Sequence, residues 1–129
     1  MPKLLIVEDD PFVRRYYNRL FSRKSYQVEM AATGQEGIDK AKEYKPDLIL
    51  LDIMMPVVNG IQILEKLKQD PETKDFQVVM LTVLGDEATI KKTAELGSIG
   101  YIIKSSIEPD ELLKIVEGYL VKIGKLPTQ

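Results

Sequence analysis

Asp47-Leu48-Ile49-Leu50-Leu51-Asp52-Ile53-Met54-Met55-Pro56 is an apolar run that ends on a carboxylate, Asp52, and is then stopped by proline. Pro46 bounds it on the other side. A run of this kind is too short to span a membrane and reads as a strand buried on both faces, the mark of a parallel sheet. Asp52 then stands at the carboxyl-terminal end of that strand. In open α/β sheets this edge is where ligands bind, so a carboxylate there is a candidate for chemistry.

The pattern recurs on both sides. Leu4-Leu5-Ile6-Val7 is a second run of the same kind, ending at Glu8-Asp9-Asp10. Pro11 suits the first position of a helix that Asp10 can cap. Phe12, Tyr16 and Leu20, with Val13 and Tyr17, have the spacing of an inward stripe, leaving Arg14, Arg15, Arg19 and Arg23 on a solvated face. Tyr26 to Ala32 is a weaker strand, expected nearer a sheet edge. Thr33-Gly34-Gln35-Glu36 has the Thr-x-x-Glu form of a capping box, opening a helix to about Tyr44 with Ile38 and Ala41 facing in.

Past Asp52, Pro56 and Asn59-Gly60 make Ile53 to Gly60 a loop. Ile61, Leu64 and Leu67, joined by Ile63, form the stripe of a third helix that Asp70-Pro71 ends. Val78-Val79-Met80-Leu81 is a buried strand stopping at Thr82. A helix from Gly85 or Asp86 carries Ile90, Ala94 and Leu96, with Gly97 after its last turn. Tyr101-Ile102-Ile103 is a strand stopped by Lys104, and a last helix from about Pro109 buries Leu112, Leu113, Val116, Leu120 and Ile123. Five strands alternating with five helices predict a doubly wound α/β domain, and the flavodoxin-like strand order 2-1-3-4-5 suits this size best.

Composition narrows the function. The chain has 129 residues, enough for one domain with one core, 18 basic against 20 acidic residues, and a net charge of −2. No basic face is implied, which argues against nucleic acid or an anionic membrane as a direct partner. With no cysteine and no histidine, thiolate catalysis, Ser-His-Asp catalysis and Cys or His metal ligation are all excluded. The amino terminus meets acids after four apolar residues, too few for a signal peptide, so the expectation is a cytoplasmic protein without a membrane span. Residues 1–124 are expected to form the domain, with 125–129 a short tail.

Because parallel strands share one direction, Glu8, Asp9, Asp52, Thr82 and Lys104 fall on one rim. At an effective dielectric of about 20, each like-charged pair about 4–5 Å apart costs roughly 3–4 kcal/mol, and Lys104 alone cannot neutralise three acids. Oxygen donors without His or Cys suit a hard divalent cation, and Mg²⁺ takes one or two carboxylates while keeping waters for an anion such as phosphate. Asp52 can act there as a carboxylate nucleophile towards phosphorus, with Lys104 and the Thr82 hydroxyl meeting the charge on the phosphoryl oxygens.

Taken together, Glu8-Asp9, Asp52 with Pro56 and Gly60, Thr82, and Gly100-Tyr101-Ile102-Ile103-Lys104 resemble a response-regulator receiver domain from Lys3 to Ile123. The resemblance implies that Asp52 takes a phosphoryl group from a sensor histidine kinase, a phosphotransfer protein or a small donor, using Mg²⁺. It further implies that Asp9 is the direct metal ligand, that Glu8 acts through water, and that the Met54 main-chain carbonyl completes the set. Thr82 and Tyr101 resemble the switch pair that alters the face of helix 4, strand 5 and helix 5, where an effector or a second copy would dock.

Four positions depart from the pattern. Ser105 stands where the family usually has a cis proline, and since a cis bond before a non-proline residue costs about 3–4 kcal/mol, a trans Lys104–Ser105 bond or a shifted loop is expected, with consequences for the reach of Lys104. Val83 is bulkier than the usual residue beside the threonine and is expected to narrow access to Asp52. Met54 and Leu84, two beyond Asp52 and two beyond Thr82, cannot orient an attacking water, so slow self-hydrolysis is expected. A phosphorylation-independent docking module is the binding alternative. A haloacid-dehalogenase-type hydrolase is the enzyme alternative, but it wants a second acid where Met54 stands.

Overall fold

The structure, a computed structural model, describes residues 1–83 and 85–127. The chain alternates β1 (Lys3–Val7), α1 (Pro11–Phe21), β2 (Gln27–Ala31), α2 (Gly34–Tyr44), β3 (Leu48–Asp52), α3 (Gly60–Gln69), β4 (Val78–Thr82), α4 (Glu87–Glu95) and β5 (Gly100–Ile103). A single 3₁₀ turn, Lys104–Ser106, precedes α5 (Pro109–Lys122). The five strands form one parallel sheet in the order β2-β1-β3-β4-β5, the flavodoxin-like arrangement expected from the alternation of apolar runs and helices. β2 and β5 are the two edge strands, and β2 has the least apolar sequence of the five, as an edge position allows.

Two apolar layers cover the sheet. Alternate residues Leu4, Ile6, Leu48, Leu50, Val79 and Leu81 face α1 and α5, meeting Tyr17, Leu20, Phe21, Val116 and Leu120. Leu5, Val7, Ile49, Leu51, Val78 and Met80 face the other way, onto Ile38 and Ala41 of α2 and Ile63, Leu64 and Leu67 of α3. The central strands are fully buried, and each such aliphatic side chain contributes about 1.5–3 kcal/mol relative to an exposed one. No described helix is long and apolar enough to cross a membrane.

Caps explain the helix boundaries. Asp10 accepts from the Phe12 and Val13 N–H groups at 2.8 and 3.3 Å, with Pro11 at the first helical position. Asn59 and Gln62 form a full reciprocal capping box before α3, where the sequence suggested only a turn. The expected Thr33/Glu36 box is half made: Thr33 Oγ1 accepts from the Glu36 N–H, but the Glu36 carboxylate reaches Ala32 N–H and Lys40 instead. Gly97, with φ of +107°, follows α4 in the left-handed region that favours glycine.

The α1 stripe is corrected by one residue. Phe12 is 75% and Tyr16 43% exposed, whereas Tyr17, Leu20 and Phe21 are buried with Val13 beside them. Both sets have helical spacing, and the angle at which Asp10 starts the helix selects the second. In α4 the buried residue is Thr93, whose hydroxyl bonds the Ile90 carbonyl at 3.1 Å, while Ala94 faces solvent. In the loop after β3, Val57 is fully exposed with φ of +68°, a conformation that costs a β-branched residue about 1–3 kcal/mol.

Candidate functional site

The carboxyl ends of β1, β3, β4 and β5 meet at one rim because the strands are parallel and nearly in step: Val7 pairs with Leu51, Asp52 with Leu81, and Thr82 with Ile103. Glu8 and Asp9 follow β1 directly, Asp52 and Thr82 close β3 and β4, and Lys104 follows β5. Carboxylate oxygens of Glu8, Asp9 and Asp52 lie within 4.8 Å of one another. Glu8 and Asp52 are 2% and 3% exposed, Thr82 is equally buried, and Asp9 is half-buried.

A buried carboxylate needs partners, and each here has them. Lys104 Nζ sits 2.7 Å from Glu8 Oε1 and 3.4 Å from Asp52 Oδ1, crossing 96 residues of sequence to reach Glu8. The Asp10 N–H donates to Glu8 Oε2 at 3.2 Å, and the Met54 N–H donates to Asp52 Oδ1 at the same distance. The described peptide bonds are all trans, Lys104–Ser105 included, and the 3₁₀ turn still delivers the ammonium group to the acids. Ser105 therefore does not withdraw Lys104 from the site. Its hydroxyl lies 3.4 Å from the Val83 carbonyl, and Val83 itself is exposed at the rim.

Three carboxylates and one ammonium leave an excess of negative charge. Asp9 registers it: burial, then its contact with Glu8 and the charges of Glu8 and Asp10, raises its pKa above the ordinary aspartate value. Tyr17 lies behind the cluster, and burial, with the charges of Glu8 and Asp52, pushes its hydroxyl far above the usual range and keeps it protonated. A set of oxygen donors this close, with surplus charge and no nitrogen or sulfur ligand, fits a hard divalent cation.

Tyr101 lies on β5 opposite Met80, two residues short of the Thr82–Ile103 pair, so Thr82 and Tyr101 are diagonal neighbours on one face of the sheet. Thr82 is buried and Tyr101 is 40% exposed. Leu84, grouped with Met54 in the sequence reading, lies outside the described residues.

One side chain at the site was misread from sequence. Arg14 does not stand on a solvated face: its Nη1 donates to the Glu8 carbonyl at 2.9 Å and the Asp9 carbonyl at 2.7 Å. The available signal was its place in the second turn of α1, since helical side chains lean towards the amino terminus and an arginine there can reach the carbonyls ahead of the helix.

Comparison with known proteins agrees with this fold. Residues 4–117 match the family model for the response regulator receiver domain. Sporulation initiation phosphotransferase F of Bacillus subtilis is 34% identical over 118 residues, covering 92% of this chain and 93% of that protein. The DNA-binding dual master transcriptional regulator RpaA of Synechocystis is 32% identical over 98% of this chain but 52% of its own length, so the chain spans about half the length of such regulators. Among solved structures, a chain of the CheX–CheY–BeF₃–Mg²⁺ complex from Borrelia burgdorferi superposes with a TM-score of 0.82 at 27% identity, covering 92% of this chain and 88% of that one. The chain belongs to the response-regulator receiver domain family, signalling modules of two-component systems rather than enzymes in the ordinary sense.

Proposed function

We propose that Asp52 is the phosphoryl acceptor of a Mg²⁺-dependent receiver, and that its phosphorylation changes a protein-interaction face. The observation that carries the reading is the convergence of Glu8, Asp9 and Asp52 within 4.8 Å, with Lys104 Nζ against two of them. Asp9, Asp52 and the Met54 main-chain carbonyl would hold the cation, with Glu8 acting through water. Bound there, Mg²⁺ supplies positive charge against the phosphoryl oxygens. An Asp52 carboxylate oxygen forms the O–P bond as the P–N bond to a donor imidazole breaks, the electron pair staying with the donor nitrogen. Lys104, already 3.4 Å from Asp52 Oδ1, pairs with the transferred group, and the Thr82 hydroxyl donates to one of its oxygens.

In this reading the donor is a sensor histidine kinase or a phosphotransfer protein. The phosphotransferase in the name of the Bacillus relative and the BeF₃ and Mg²⁺ of the Borrelia complex support it. Thr82 and Tyr101 act as the switch pair, and the face of α4, β5 and α5 receives an effector or a second copy. Residues 1–124 form the receiver, with 125–129 a tail, and a cytoplasmic location goes with the reaction. The docking-module alternative leaned on Ser105 and Val83, and the contact of Lys104 with both acids removes the support that Ser105 gave it. The hydrolase alternative lacks its second acid at Met54.

Incubation with acetyl phosphate and Mg²⁺ followed by intact-mass measurement tests the reading. Wild type gains the mass of one phosphoryl group, and Asp52→Asn gains none. Absence of labelling in wild type, or equal labelling of Asp52→Asn, overturns it.

A further inference from the structure

We infer that Arg14 is a positioning residue for the cation site, acting through the main chain of the acid pair rather than through any ligand atom. The inference rests on the metal-binding reading of Glu8, Asp9 and Asp52 and adds a residue to it.

Between the end of β1 and the start of α1 the chain reverses within three residues, Glu8, Asp9 and Asp10. Their main-chain groups leave the sheet ladder before the helix can take them up. Glu8 N–H still pairs with the Ala31 carbonyl at 3.0 Å, and the Asp10 carbonyl accepts the first helical bond from Arg14 N–H at 2.9 Å. The Glu8 and Asp9 carbonyls in between are held by Arg14, with Nη1 bridging both at 2.9 and 2.7 Å. Arg14 is thus tied twice to this segment, by its own N–H and by its guanidinium, and its side chain is half-buried against it.

The consequence is geometric. With the carbonyls of two successive peptide units pinned, the Cα–Cβ directions of Glu8 and Asp9 are set, and with them the approach of their carboxylates to Asp52. Outer groups that orient ligands in this way change metal affinity by about 10–100-fold when removed. Nη1 carries two N–H groups, one for each carbonyl, on a guanidinium that stays charged; a lysine ammonium would have to reach the same point from a side chain of different shape and heavier hydration.

Charge alone predicts the opposite sign. Removing a cation close to a cation site relieves repulsion and tightens binding. Positioning predicts that the same removal weakens it. The sign of the change therefore separates the two.

Mg²⁺ binding is measured by calorimetry on wild type, Arg14→Ala, Arg14→Gln and Arg14→Lys, with urea midpoints as the check on folding. The expected result is a dissociation constant about 10-fold higher for Arg14→Ala, with Arg14→Lys between it and wild type. In labelling by acetyl phosphate, the Mg²⁺ concentration giving the half-maximal rate rises by the same factor, while the rate at saturating Mg²⁺ stays within about twofold. Unchanged or tighter binding by a folded Arg14→Ala overturns the inference and leaves the site reading intact. Should Arg14→Ala fail to fold, Arg14→Gln and Arg14→Lys decide by the same criterion. Failure of wild type to bind Mg²⁺ overturns both.

Discussion

Replacing Asp9 by asparagine should make the cation-free protein more stable and at the same time deprive it of stabilisation by Mg²⁺. The carboxylates of Glu8, Asp9 and Asp52 lie within 4.8 Å, and at an effective dielectric of about 20 one such pair repels by roughly 3.5 kcal/mol. Lys104 is committed to Glu8 and Asp52 at 2.7 and 3.4 Å, so Asp9 faces about one uncompensated charge rather than two. Asp9 is half-buried, and screening by solvent reduces the repulsion to about 1–2 kcal/mol. The upward shift of the Asp9 pKa, from burial first and from Glu8 and Asp10 next, has the direction this predicts.

Urea unfolding followed by circular dichroism in a chelator reads the first half. With a slope of about 2 kcal/mol per molar, the Asp9→Asn midpoint should rise by about 0.5–1 M. Repeating the titration at Mg²⁺ about 100-fold above its dissociation constant should add about 2.7 kcal/mol to wild type and little to the variant. A variant less stable than wild type in chelator, or equally stabilised by Mg²⁺, would refute the reasoning.

Three other perturbations have definite outcomes. A Cβ on Gly60 would stand 2.2 Å from the Asp52 carbonyl oxygen and 2.7 Å from Ile53 Cα, both main-chain atoms, so Gly60→Ala should destabilise by about 2–3 kcal/mol, read as a lowered urea midpoint with unchanged slope. Lys42, 2.8 Å from Asp70, and then the Glu72 N–H hold the Asp70 carboxyl below the ordinary value of 3.8; its contribution is present above that pH and lost as pH falls through the depressed pKa, so Asp70→Asn should be less stable than wild type at neutral pH and converge with it in acid. Met54→Asn should shorten the lifetime of phosphorylated protein, measured as loss of the added mass after donor removal, because Met54 offers no group to orient water; a rapid wild-type loss unchanged by the substitution would contradict this.

The sheet was legible because β1, β3 and β4 are nearly pure apolar runs, the mark of strands buried on both faces, and because they alternate with helical patterns. The rim residues were legible for the same reason: in a parallel sheet a polar residue closing an apolar run must fall on the common edge, as Asp52 and Thr82 do. Helix faces were less so. In α1 the pairs Phe12–Tyr16 and Val13–Tyr17 have identical spacing, and only the entry angle fixed by Asp10 and the docking of Phe21 on the core decides which is inside. In α4 a threonine, satisfied by the Ile90 carbonyl, took the inward place that alanine seemed to claim. Arg14 was harder to see because its partners are main-chain carbonyls, and its position early in α1 was the one pointer to them.

The strand order has a further consequence for how occupancy and folding are linked. Glu8 and Lys104, 96 positions apart in sequence, follow β1 and β5, and in the sheet β1, β3, β4 and β5 are contiguous. A ligand gripping the rim therefore fastens the first and last of these together, and no partial opening that separates them can keep it. Its binding energy should appear as slower hydrogen exchange across the central strands in unison, not as local protection beside the pocket, making rim occupancy a gauge of global folding.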